Sequence, residues 1–199
     1  MVVIIEGPDA VGKSTQIQLI KNYAEKELDY PVHILHYSNI KAFGNDGPAI
    51  ENASYKLYSD MFKLMETSER QNPNRLLILD RAHLGETVYS PIYRGYNGDY
   101  VLSDKFEGAY NKTQAAKNTY LILFTDSVDS IIERDKKRGD GLSFSLDKSK
   151  KADEIERFEN AFNLSGIPNK LMIKVGTKTP DEIFNGEVVP FLRGDKWEM

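Results

Sequence analysis

"IIEGPDAVGKST", residues 4–15, decides how this chain is read. An apolar run breaks into glycine, proline and aspartate, then closes on a lysine and two hydroxyls. Gly7 to Ser14 satisfies G-x-x-x-x-G-K-S/T without a mismatch. Gly7 and Gly12 let the backbone turn tightly and present N–H groups to phosphate oxygens. Ala10, Val11 and Thr15 complete the same cradle. A helix beginning near Lys13 adds its positive dipole end. Lys13 supplies a mobile cation for the β- and γ-phosphates, and the Ser14 hydroxyl can ligate Mg²⁺. An apolar strand precedes the motif and an amphipathic helix follows it, as a nucleoside triphosphate site requires.

Outward from this stretch, strand-like runs alternate with helical ones. "VVII" (2–5), "VHILHY" (32–37), "RLLILD" (75–80), "TYLILF" (119–124) and "LMIKV" (171–175) are continuous apolar or β-branched runs. Such runs suit parallel strands covered on both faces. Between them, residues 14–28, 49–70, 128–138 and 151–162 space their apolar residues for helices, and "TPDEIF" (179–184) carries a Thr cap and Pro at the first helical position. The alternation predicts one α/β domain, 1–199, with a parallel sheet, right-handed crossovers and ligands at the carboxyl ends of the strands. "IKAFGNDGP" (40–48) and "GDGLSFSLDKS" (139–149) read as loops, with a lid at about 139–150.

The bulk properties narrow the function class. The 199 residues carry a net charge of −4, which argues against a general nucleic-acid coat. No cysteine is present, so disulfides and thiolate metal sites are excluded. The opening apolar run is too short for a secretory h-region, and no segment reaches the length of a membrane span, so a cytoplasmic location away from membranes is expected.

Phosphate-binding loops serve several chemistries. A GTPase switch would show D-x-x-G after the third strand and an N-K-x-D; here the third strand ends "LDRAH", and neither "NKTQ" (111–114) nor "NKLM" (169–172) has the aspartate. "NLSGIPNK" (163–170) begins like an ABC signature but lacks the rest and reads as a turn. A small kinase needs a short chain, a strand ending in an acid, and a basic lid, and all are present. At these residues the chain resembles the thymidylate kinases, within the deoxynucleoside monophosphate kinases. "EGPDAVGKSTQ" is similar to that family's E-G-x-D-x-x-G-K-S/T-T/S-Q loop, "LILDR" (77–81) to its D-R motif, "YLILFTDSVDSIIERDKKRGD" (120–140) to its fourth strand, helix and lid entry, and "IERFENAF" (155–162) to the helix after the lid. The resemblance runs from residue 2 to about 184. It implies a P-loop kinase fold, α/β/α in three layers, with a five-stranded parallel sheet in the order 2-3-1-4-5 and a short lid. It also implies ATP as phosphoryl donor, Mg²⁺ as cofactor, dTMP as acceptor and a homodimer.

Phosphoryl transfer needs cations brought from several directions to align two anions. Arg81, at the carboxyl end of a buried strand, is placed to clamp the acceptor phosphate, the role the resemblance also implies. Asp80 is a candidate outer-sphere partner of Mg²⁺. Arg134 and Arg138, four apart, share a helix face leading into the lid. The family puts its catalytic arginine in the lid when the phosphate loop lacks one, and Ala10 occupies that loop position here. Arg138 is the first choice and Arg134 the second; Lys148, Lys150 and Lys151 read as solvated. Asp9 would repel a triphosphate, so its carboxylate is expected to turn toward the acceptor, where the matching family residue contacts the deoxyribose 3′-OH.

The acceptor pocket departs from the family. Its R-E-P-G-G-T stretch is replaced by "HYSNIKAFGNDG". Tyr58 falls nearest the base-stacking Phe, with Phe62 a turn later where the family has arginine. After Arg81, the residues Glu86, Tyr89 and Arg94 stand ready to rebuild the acceptor site. Two alternatives therefore stay open: a deoxynucleoside kinase acting on a 5′-OH, with Asp80 and Arg81 serving its base, and a non-catalytic ATP-binding regulatory module.

Overall fold

A computed structural model of the chain describes residues 1–37, 47–71, 74–139 and 145–193. Its centre is a sheet of parallel strands in the order β2-β3-β1-β4-β5. The strands are β1 (Val2–Glu6), β2 (Val32–His36), β3 (Leu76–Asp80), β4 (Thr119–Thr125) and β5 (Asn169–Lys174). Helices α1 (Lys13–Glu27), α2 (Gly47–Gln71), α3 (Leu84–Tyr89), α4 (Glu107–Tyr110), α5 (Val128–Arg138), α6 (Lys148–Leu164), α7 (Pro180–Ile183) and α8 (Val189–Arg193) complete the layers. The expected fold and strand order are those observed.

Both sheet faces are covered, which is why the strands are apolar without alternation. Successive side chains of β1 enter opposite cores. Val2 and Ile4 pack with Leu77, Leu79, Leu121 and Leu123 under α2, α3 and α6. Val3 and Ile5 pack with Leu76, Ile78, Ile122 and Phe124 under α1, α5 and α8. Among the described residues no helix is long and apolar enough to cross a membrane.

One sequence expectation needs correction, and one stretch left unassigned takes a definite form. The loop expected to form a lid over about 139–150 does not extend to its carboxyl end, because α6 starts at Lys148: Asp147 caps it by accepting the Lys150 N–H at 2.9 Å. The stretch 82–100, read only as a departure from the family, is largely helical: α3 runs into a π-helical turn, Ser90–Arg94, and a 3₁₀ turn, Asp99–Leu102. The loop expected at 40–48 lies outside the described residues except for Gly47 and Pro48, which open α2, and so does the 140–144 part of the lid.

Candidate active site

The carboxyl ends of β1, β2 and β3 meet α5 in one cleft of about 290 Å³, lined by Asp9, Ala10, Gly12 to Thr15, His36, Asp80, Arg81, Arg134 and Arg138. The loop after β1 has its left-handed residues at Gly7 (φ 135°), Ala10 (φ 63°) and Gly12 (φ 86°). Alternating handedness of this kind turns successive amides inward as an anion nest. Gly7 admits no other residue, because a Cβ there would lie 2.1 Å from the Phe124 carbonyl oxygen on β4. Val11 is buried beneath the loop, while Ser14 and Thr15 are exposed at the start of α1.

Lys13 is buried and donates to the carbonyls of Gly7 at 2.8 Å and Pro8 at 2.5 Å. Burial and the nearby Arg81 push its ammonium down to about 7, against the opposing fields of Asp9, Asp80 and Glu6. A triphosphate entering the cleft would supply the missing negative charge.

Arg81 follows β3 with a left-handed backbone (φ 65°), a sparsely populated state for a residue with a Cβ. Its guanidinium pairs with Asp9 and donates to the Tyr89 hydroxyl at 3.1 Å. Burial would raise Asp9, but Arg81, Lys13 and Lys151 outweigh it and hold the carboxyl below its ordinary range. Asp9 thus faces the cation beside it. Asp80, next in the cleft, accepts from His36 Nδ1 at 2.7 Å.

From α5, Arg134 donates to Asp126 at 2.7 Å and to the Gly176 carbonyl at 2.8 Å, while its Nη1 is buried without a partner. Arg138 donates to Asp135 at 3.0 Å. Both reach the cleft. A second cleft of about 210 Å³ adjoins it through Ala10, Gly12, Thr15 and Arg134, and is walled by Val175, Lys178, Pro180 and Ile183.

The residues expected on the acceptor side form a different group. Glu86 is fully buried and accepts from Arg94 at 2.7 Å, Tyr96 at 2.6 Å and Tyr100 at 3.2 Å. Tyr58 is buried on the facing helix, its hydroxyl pushed well above its usual range by burial and then by Glu86. Tyr89 lies beneath Arg81, whose Cζ is 5.8 Å from the ring centroid. Phe62 is not brought to the phosphate cleft. It packs in the core against His83 and Tyr110, with ring centroids 5.1 and 5.5 Å away. Lys148 and Lys150 are exposed as expected, but Lys151 is not solvated: it is fully buried against Glu154 at 2.9 Å, and Glu154 also accepts from Tyr93 at 2.5 Å. The first turn of α6 packs inward at that point, which lysine-rich composition alone does not reveal.

Sequence reasoning passed over Glu6, His36 and Asp126, and the second cleft entirely. Each of these residues ends a strand or follows it by one position, so the carboxyl-end rule was the available signal.

No family model matches the sequence, and no curated protein matches it. Among solved structures, the chain superimposes on the YorR protein of Bacillus subtilis, in complex with phosphorylated GDP, with a TM-score of 0.67 and 18% identity, over 100% of this chain and 99% of that one. A thymidylate kinase from Candida albicans gives 0.64 and 17%, over 98% and 92%. A deoxyadenosine kinase from M. mycoides with bound dATP gives 0.54 and 19%, over 95% and 100%. At these identities the likeness establishes a shared fold over nearly the whole of each chain.

Proposed function

We propose that the protein transfers the γ-phosphoryl group of ATP to the 5′-phosphate of a deoxynucleoside monophosphate, with dTMP as the first choice of acceptor. One observation carries this reading: Lys13 from α1, Arg81 from the end of β3, and Arg134 and Arg138 from α5 line a single cleft. A module that only held a triphosphate would need the loop and Lys13. The further arginines suit a site that must also hold a second anion and the charge passing between the two. The kinases among the fold neighbours support the same reaction class.

Each residue then has a task. Lys13 leaves the Gly7 and Pro8 carbonyls for the β- and γ-phosphate oxygens. Arg81, fixed by Asp9 and Tyr89, presents its remaining N–H groups to the acceptor phosphate. Asp9 then stands beside the acceptor, in reach of its sugar. Arg134 offers its unpartnered Nη1 to the donor phosphates, and Arg138 closes from the lid entry. An oxygen of the acceptor phosphate forms the new bond to the γ-phosphorus as the bond to the β-bridging oxygen breaks, and ADP leaves. The second cleft suits the donor base.

The residues fit a Mg²⁺ that arrives with the nucleotide. Ser14 offers an exposed hydroxyl and Asp80 a carboxylate able to act through water, both hard oxygen donors. Among the described residues no group of three acidic, His or Cys side chains could hold a metal alone. When bound, the ion would neutralise charge on the β- and γ-oxygens.

The test is ADP production with ATP–Mg²⁺ and a panel of deoxynucleosides and their monophosphates. Stimulation by a monophosphate, dTMP foremost, is expected. Stimulation by nucleosides alone would replace the acceptor with a 5′-hydroxyl. No stimulation by any would leave a non-catalytic binding module.

A further inference from the structure

Glu6 ends β1 one residue before the phosphate-binding loop and is completely buried. A carboxyl group so placed costs free energy unless it is used. Its Oε1 accepts the backbone N–H groups of Ala82 at 2.9 Å, Leu84 at 2.9 Å and Gly85 at 3.3 Å. Its Oε2 is buried with no partner. Burial raises its pKa, although His83, the amides and Arg81 pull the other way.

The amides it holds have one thing in common: they immediately follow Arg81. The first turn of a helix leaves donors unpaired, and α3 has no side-chain cap of its own, since His83 at the N-cap position makes no capping bond. Glu6 supplies that cap from another strand, 76 to 79 residues away in sequence. Arg81 itself is tied to the same strand, donating its N–H to the Ile5 carbonyl at 2.9 Å. The segment 81–85 is therefore fastened to β1 at both ends, and between the fastenings Arg81 takes its left-handed backbone (φ 65°).

We propose that Glu6 is a positioning residue for Arg81: by capping α3 across the sheet, it holds the turn that aims the guanidinium at Asp9 and the acceptor side of the cleft. The capping stands on geometry alone; its effect on turnover rests on the reading of Arg81 as the acceptor clamp. Glu6→Asp withdraws the oxygen by one methylene, and Glu6→Gln keeps an accepting oxygen at full reach. Without any nucleotide, amide hydrogen exchange at 82–85 should accelerate at least tenfold in Glu6→Asp, and the Arg81 Nε–H resonance should move to its random-coil position. Helix α5 should exchange as before, and Glu6→Gln should match the wild type within about threefold. In kinetics, Glu6→Asp should raise the acceptor KM or lower kcat about tenfold, with the ATP KM within twofold, and should add nothing to Arg81→Ala.

Unchanged exchange at 82–85 in Glu6→Asp would overturn the proposal. So would a Glu6→Gln variant that loses the Arg81 signal, since charge rather than capping would then be the agent. An ATP KM rising as much as the acceptor KM would show a general structural role instead. Should the wild type phosphorylate no acceptor, the functional reading fails, while the exchange and Arg81 signals still decide the capping.

Discussion

Lys13 holds two properties in tension. Its burial depresses the ammonium to about 7 from an ordinary 10.5. The unfolded chain therefore binds more protons than the folded one between those values, and stability rises with pH across that window. The cost of burying Lys13 is fully present below pH 7 and gone above about 10.5. Lys13→Met is expected to stabilise the fold by about 2–4 kcal/mol at pH 6 and by much less at pH 10, allowing for the two carbonyls left unpaired. Thermal or urea denaturation at both values checks the sign. The same variant should lose at least about a hundredfold in turnover, as expected when a phosphate-directed cation is removed. The two helix arginines separate in a parallel way. Arg138→Ala should cut kcat by about tenfold or more with little change in ATP affinity, because it lines the first cleft and not the second. Arg134→Ala should weaken ATP binding as well, since Arg134 borders both clefts and braces Asp126 to Gly176. Normal turnover in Arg138→Ala would remove it from the transfer step.

At the scale of the elements, the joints between helices rest on buried carboxylates. Glu107, in α4, accepts from His83 at 2.6 Å, Ser165 at 2.9 Å and the Gly166 amide, tying α3 and α4 to the turn between α6 and β5. Burial would raise its pKa, but the His83 hydrogen bond and field, with the Gly166 and Ser165 donors, hold it below 4.5. Its stabilising effect is thus complete above the ordinary glutamate pKa and lost as pH falls through the lower folded value. Glu107→Gln should cost about 1–3 kcal/mol at pH 7, and the gap to the wild type should close toward pH 3. Chemical denaturation across that range is the measurement. These joints also show what the sequence could and could not disclose. The first strand, phosphate loop and α1 were legible because every part of the motif is local. The strands were legible because burial on both faces leaves unbroken apolar runs. The capping of α3 by Glu6, the inward turn of Lys151 and the Glu86 network were not. Each depends on partners brought together by packing, and a buried lysine has the same letter as a solvated one.

For the whole molecule, ligand linkage offers a test independent of turnover. A nucleotide that binds only the folded protein stabilises it by about 2.7 kcal/mol at a hundred times its Kd. For a chain of this size that corresponds to a rise in Tm of about 5–10 °C. ATP–Mg²⁺ and the correct acceptor should each produce such a rise, and Lys13→Met should abolish the first while leaving the second. No shift with any nucleotide would contradict the site as assembled here.

The central strand also acts as a ruler. In β1, Ile5 pairs with Asp80 on one side and Ile122 on the other. The gap between the phosphate loop and Arg81 is thereby fixed by the spacing of hydrogen-bonded strands, about 4.8 Å, and not by any loop. A one-residue slip of β3 would carry Arg81 about 3.3 Å along the strand and turn it to the opposite face. That interval depends on the register of the strands and not on the identity of the loop side chains. Chains 17% and 18% identical can then share nearly their full length of fold. In this chain the interval between the loop that carries Lys13 and the turn that carries Arg81 belongs to the sheet itself.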